Sequence, residues 1–143
     1  MLEQLVYVSR ATPNVDARSI YDIIRVAHNR NSMDQLTGAL IFLDGYFLQV
    51  LEGNSHLLRA RFEIIRADPR HTELSLRQTL FTQERAFPDE WMALRHGDAI
   101  DDGLKLDFDY APGFPATHFD GEKLVEFASA CYQPYRKTIP GAL

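Results

Sequence analysis

The stretch LTGALIFLDGYFLQVL, Leu36 to Leu51, decides the fold. Leu36 to Leu43 is an apolar run long enough for one strand, and Tyr46 to Leu51 is long enough for a second. Between them stands Asp44-Gly45, the dipeptide whose two residues accept the positive φ of a two-residue hairpin turn. Glu52-Gly53-Asn54 closes the hairpin, and Asn54 or Ser55 caps a following helix. On that helix Leu58, Phe62 and Ile65 recur at i, i+4 and i+7, one stripe facing a core, until Pro69 ends it.

The same grammar extends outward in both directions. Upstream, Glu3 to Ser9 reads as a first strand, broken by Thr12-Pro13-Asn14. Asp16 then caps a helix reaching about Asn29, with Ile20, Ile23, Ile24 and Ala27 on its core stripe. Downstream, Leu74 to Phe81 alternates, with Leu74, Leu76 and Leu80 expected on one face, and a short strand is expected near Trp91 to Arg95. The order βαββαββ predicts an α+β, ferredoxin-like sheet with two helices on one face. Residues 1–96 form this unit. Residues 97–143 read as a C-terminal helical extension that packs on the sheet's other face. Its acidic 98–109 stretch is a solvated linker, Tyr110 to Phe119 is a hydrophobic lid, and Leu124, Phe127, Ala128 and Cys131 fall at helical spacing.

Composition narrows the function classes. The chain has 143 residues, 45% of them hydrophobic, enough for one ordinary core. A net charge of −5 argues against a nucleic-acid grip or an anionic-lipid patch, both of which need clustered Lys and Arg. The longest apolar run, Ala39 to Leu43, is far short of the roughly 20 residues that span a bilayer. The opening MLEQLVYVSR carries no secretory signature, so the expected location is the cytoplasm. One cysteine cannot form an internal disulfide, and the five histidines show no metal-ligand spacing with it. No glycine-rich nucleotide motif is present, and no nucleophile triad can be assembled. Arg59, Arg61 and Arg66 read as a solvated helix face, with contact to a cofactor phosphate as the alternative.

Three polar residues sit where apolar ones are expected. Tyr7 lies within the first strand, Gln49 within the third, and Asn31 just past the first helix. In the split-βαβ order the first and third strands are central neighbours, and period two places Leu5, Tyr7 and Ser9 on one face and Phe47, Gln49 and Leu51 on another. If those faces match, Tyr7 and Gln49 pair beneath the helices. A buried Gln lacking partners costs roughly 1–3 kcal/mol. Gln49 therefore bonds Tyr7 and backbone alone, or it also serves a ligand.

Strings around these residues carry a resemblance. LVYVS at 5–9, Asn31 ahead of LTGAL at 36–40, FLQVLEG at 47–53 and DPRH at 68–71 occur in that order. Over residues 1–95 the chain resembles the BLUF family, blue-light sensors that use FAD. The resemblance implies a ferredoxin-like fold with the flavin ring between the two helices. It implies that Tyr7 donates an electron and a proton to the excited flavin, that Gln49 lies between them, and that Asn31 bonds the ring's pyrimidine edge. Ile23 and Ile65 match the apolar residues that sandwich the ring, Asp68, Arg70 and His71 match a segment lining the pocket, and Arg30 matches a polar position beside Asn31. The family's Trp-x-Met segment is altered here to Trp91-Met92. Met92 takes the family's Met position, and Trp91 is shifted by one, which turns it to the opposite face unless a bulge restores it. The resemblance further implies a receptor without catalytic activity, signalling to a downstream protein or by a change of homo-oligomer. The rival readings are a dark flavin redox protein and a ligand-free interaction module.

Overall fold

The structure is a computed structural model. It describes residues 1–13, 16, 18, 22, 29–88, 91–96, 108 and 119–132, with the backbone alone for 91–96 and 132. Five strands form one sheet in the order β4-β1-β3-β2-β5. They are β1 (Leu2–Ala11), β2 (Thr37–Leu43), β3 (Tyr46–Asn54), β4 (His71–Phe81) and β5 (Trp91–His96). Helix α1 (Ser55–Arg66) follows β3, and α2 (Gly121–Tyr132) lies near the C-terminus. The first four strands pair antiparallel and β5 joins β2 in parallel. This is the ferredoxin-like arrangement with one added edge strand.

The β2–β3 hairpin forms as expected. Asp44 (φ 51°) and Gly45 (φ 85°) both take the left-handed region, the requirement of a type I′ turn. The strand beyond it differs from expectation. Glu52, Gly53 and Asn54 do not close the hairpin but extend β3, pairing with Gln4, Glu3 and Leu2. A Cβ at Gly53 would displace the buried Leu36 side chain, which packs directly over that position. Asn54 then caps α1, its Oδ1 accepting from the His56 N–H at 3.0 Å.

The helix before β2 also differs. Residues 29–34 are helical, so helical structure runs past the expected end near Asn29 and Asn31 lies inside it. It stops at Gln35, whose φ of 55° is left-handed. The Leu36 N–H donates to the Asn31 carbonyl at 2.8 Å and the Gln35 N–H to that of Ser32 at 3.4 Å. This is a Schellman ending built on Gln rather than Gly. The expected stripe of Ile20, Ile23, Ile24 and Ala27 lies outside the described residues.

Period two divides the sheet into two buried layers. On one face Leu5, Tyr7, Leu40, Phe47 and Leu51 pack with Leu36 and with Leu58 and Phe62 of α1, while Ile65 is partly buried against them. On the other, Val6, Val8, Ala39, Ile41, Leu48 and Val50 pack with Phe119 and with Leu124, Phe127, Ala128 and Cys131 of α2. Asp120 caps α2, its carboxylate accepting from the Lys123 N–H at 2.8 Å. The linker read at 98–109, Phe108 apart, and the lid read from Tyr110, Phe119 apart, lie outside the described residues. Phe108 and Phe119 both pack on Phe127 edge-on.

Strand β4 does not keep Leu74, Leu76 and Leu80 on one face. Its register to β1 shifts between Val6 and Tyr7 and again between Val8 and Arg10, and Glu73 takes φ 52° at the second shift. Each shift breaks the alternation and inverts the facing of the residues beyond it. Leu74 packs under the helices, whereas Leu76 is 49% exposed and Leu80 38%.

Candidate functional site

Strand register brings the odd polar residues together. Tyr7 pairs directly with Gln49 between β1 and β3, and Gln49 pairs with Leu40 on its other side. The Tyr7 hydroxyl donates to Gln49 Oε1. Both side chains are buried, Gln49 being 4% exposed. Burial first, then the Asp68 carboxylate, pushes the Tyr7 phenol well above its ordinary pKa, so the group stays protonated.

Above this pair opens a cleft of about 730 Å³, the open space at its mouth included. Helix α1 supplies Arg61, Ile64 and Ile65, and residues 29–34 supply Arg30 and Asn31. The sheet supplies Tyr7, Leu40, Phe47 and Gln49 as its floor. Asp68, Arg70 and His71 form the wall where the chain turns from α1 into β4. Thus the sequence-predicted Tyr7, Arg30, Asn31, Gln49, Ile65, Asp68, Arg70 and His71 line one cavity. Ile23 lies outside the described residues, as do the side chains of Trp91 and Met92. The backbone at those two positions does carry a register shift. Gly38 pairs with Trp91 but Leu40 with Leu94, so one extra residue is accommodated where the family's Trp-x-Met spacing is altered.

The wall is held by its own bonds. Arg70 closes on Asp68 through Nε at 2.9 Å and Nη2 at 2.5 Å. The hydrogen bonds from Arg70 hold the Asp68 carboxyl below the usual carboxylate range, against a smaller opposing effect of burial. His71 Nε2 donates to the Ile65 carbonyl at 2.6 Å, since a carbonyl can only accept, and Nδ1 meets the Ser9 hydroxyl at 2.7 Å. The ring is thereby fixed edge-on to Tyr7 and Phe47.

Arg61 departs from the solvated face expected of it. Its side chain is 11% exposed and donates to Asn31 Oδ1 at 2.5 Å and to Asp34 Oδ2 at 2.8 Å. Burial, and after it the neighbouring Arg30, lowers the guanidinium pKa, while Asp34 raises it. The signal was present in the helix period: Arg61 stands four residues before Ile65 and shares its face. Arg59 is likewise engaged, binding the buried Glu3 carboxylate at 2.7 Å. Arg30 is exposed at the mouth.

Two amide nitrogens define what the cleft can hold. Gln49 Oε1 is taken by Tyr7 and Asn31 Oδ1 by Arg61. The Nε2 of Gln49 and the Nδ2 of Asn31 find no partner among the described residues, and no fully buried polar side-chain atom there is left unsatisfied, so both open on the cleft. The floor around them is apolar and aromatic. A flat heteroaromatic ring with carbonyl acceptors on its edge fits such donors, and a flavin is such a ring. Among the described residues no group of three His, Cys, Asp or Glu is placed to hold a metal, and no helix is long and apolar enough to cross a membrane.

Comparison with known proteins gives likenesses of three kinds. The family model described as sensors of blue light using FAD matches residues 2–93. The photoactivated adenylate cyclase subunit beta of Euglena gracilis is 37% identical over 90 residues, which are 63% of this chain and 10% of that protein. The blue light- and temperature-regulated antirepressor BluF of Escherichia coli is 32% identical over 71 residues, half of this chain and 18% of that protein. The dark-state structure of BlrB, a BLUF protein, superposes with a TM-score of 0.74 at 27% identity, covering 90% of this chain and 96% of that one. The chain spans only a small part of the length of the curated relatives it matches.

Proposed function

The chain belongs to the BLUF family of blue-light sensors using FAD, and from that premise we propose that Tyr7 and Gln49 are its photochemical pair and that the cleft between α1 and residues 29–34 is its flavin site. The observation that carries this is the hydrogen bond from the Tyr7 hydroxyl to Gln49 Oε1, with the Gln49 Nε2 open on the cleft. When bound, the flavin supplies a ring that absorbs blue light and is a strong oxidant while excited. Tyr7 would be the residue that donates one electron and its phenolic proton to the excited ring and receives both back from it. Gln49 is the relay: its amide holds a donor and an acceptor on one rotatable group. Turning that amide exchanges the NH₂ it presents to the cleft for a carbonyl, with no covalent bond formed. Asn31 and Arg30 hold the polar edge of the ring. Ile65 packs a face of the ring, as the resemblance assigns to Ile23 as well, and Asp68, Arg70 and His71 keep the wall in place. Met92 and Trp91 belong to the strand that reads the change.

The wider reading rests on the same premise. Residues 1–96 act as the sensor and 97–143 as an extension through which the change is passed on. The relatives named as a photoactivated cyclase and a light-regulated antirepressor support an effector downstream; on our reading it is a partner protein or a change of homo-oligomer, in the cytoplasm. The module is a receptor, not a catalyst.

The deciding measurement is the visible spectrum of the purified protein in the dark and under blue light. A flavin spectrum that shifts slightly to the red and recovers in darkness is expected, and the double variant Tyr7→Phe with Gln49→Leu should bind flavin without the shift. A shift retained in that variant would overturn the assignment of the pair. Steady turnover of a reductant such as NADH would favour the dark redox reading, and a colourless protein the interaction module.

A further inference from the structure

We infer that Arg61, braced by Asp34, is a positioning residue that locks the Asn31 amide with its NH₂ facing the cleft, so that this site accepts only a hydrogen-bond acceptor at that edge. The inference rests on the flavin reading of the cleft and concerns how the site recognises the ring.

Amide orientation is ordinarily ambiguous, because oxygen and nitrogen look alike and many partners both donate and accept. Asn31 escapes that ambiguity. Its partner is a guanidinium, which carries five donors and no acceptor, so the oxygen must face Arg61 and the nitrogen must face away. Asn31 is 2% exposed and its Nδ2 has no partner among the described residues. The Nδ2 donor thus opens on the cleft without a protein partner, and a ligand acceptor placed there gains a hydrogen bond. The backbone is held too, since the Asn31 carbonyl accepts from the Leu36 N–H at 2.8 Å.

The brace is asymmetric across the cleft. Arg61 spans two residues one turn apart, with one nitrogen on Asn31 and the other on the Asp34 carboxylate. It cannot rotate without breaking a charge-assisted bond. Gln49, by contrast, meets a hydroxyl, which can donate or accept and so tolerates either amide orientation. One amide of the cleft is fixed and the other is free to turn. Light-driven rearrangement is thereby confined to Gln49, while the ring stays held at the Asn31 edge.

The experiment is titration of the apoprotein with FAD and, separately, with riboflavin, which lacks phosphates. Loss of the locked amide in Arg61→Met should weaken both ligands alike, by about tenfold. Arg61→Lys, which can still donate one bond to Oδ1, should recover part of the loss. In an Asn31→Ala background Arg61→Met should cost nothing further, the non-additivity expected of a residue acting through another. Thermal melting of each apoprotein reads folding separately. A loss confined to FAD would make Arg61 a phosphate ligand, and additive losses would make it an independent contact; either overturns the inference. Equal binding by wild type and Arg61→Met would overturn it alone, leaving the flavin reading intact. A wild type that binds neither ligand would overturn both.

Discussion

At the scale of single residues the site depends on which protons stay in place. Tyr7 is buried beside a carboxylate, and both effects favour the neutral phenol. A photoreaction that draws its proton from this hydroxyl should therefore keep its full amplitude through about pH 10, where a free phenol ionises. Light-minus-dark difference spectra across that range test this, and a loss of amplitude near pH 10 would mean that the phenol is not the shielded donor inferred. Asp68 works in the opposite sense. Its folded pKa is depressed by Arg70, so its contribution to stability is present above the pKa of an unfolded Asp, about 3.9, and disappears as the pH falls through the lower folded value. Asp68→Asn should thus melt below wild type at pH 7, with the gap closing in acid. A gap that does not narrow as the pH falls below about 3.9 would assign the effect to something other than charge. Tyr7, Gln49, Asp68 and His71 were legible in the sequence because a polar residue in a strand, or a fixed string at a turn, stands out against its surroundings. Arg61 carried only the weak signal of sharing the face of Ile65, which the reading as a solvated face outweighed, because an arginine on an amphipathic helix is solvated far more often than it is buried against an amide.

At the scale of elements, the far face of β3 carries a clamp that the apolar pattern hides. The fully buried Glu52 carboxylate accepts from the Gln4 amide at 3.0 Å and from the Ala86 and Phe87 N–H groups, both at 2.8 Å. Gln4 in turn accepts from Gln78 of β4 at 3.0 Å. Arg85 completes the closure by donating to the Glu52 carbonyl at 3.1 Å and to Thr37 at 2.7 Å. One side chain thus ties β1 and β3 to the segment that leads into β5. Glu52→Ala would strand three donors at about 1–3 kcal/mol each before any relaxation. We expect a loss of about 3 kcal/mol in denaturant unfolding, with faster amide exchange at Ala86 and Phe87. Unchanged exchange there would show that the segment is held by Phe87 packing instead. Element order and the hairpin were readable because Asp44-Gly45 fixes the turn and period two fixes the faces. The bulges of β4 and the helix ending at Gln35 were not. An inserted residue leaves alternation looking intact on paper, and a left-handed Gln carries none of the signal that a Gly would.

At the scale of the molecule, one sheet serves two cores that share no side chains. The cleft stands on Tyr7, Leu40, Phe47 and Gln49, while α2 covers Val6, Val8, Ile41 and Val50 on the reverse. Adjacent residues of one strand therefore report to opposite faces: Gln49 looks into the cleft, and Leu48 and Val50 look at α2. A shift of β3 caused by turning the Gln49 amide must be felt by the second core, because packed interiors transmit displacement rather than absorb it. Separating binding from relay is then a matter of emptying that second core. Phe127 is fully buried, with Phe108 and Phe119 edge-on to it. Phe127→Ala should cost about 3–5 kcal/mol of stability. It should leave flavin affinity of the folded protein within about twofold, since no atom of Phe127 lines the cleft. The light-induced flavin shift should survive, while the light-induced change in α2 amide exchange should shrink, because the cavity takes up the displacement of β3. If affinity fell as steeply as stability, the two faces would be one energetic unit. The sheet could not then act as the partition through which a local change of hydrogen bonds reaches the C-terminal helix.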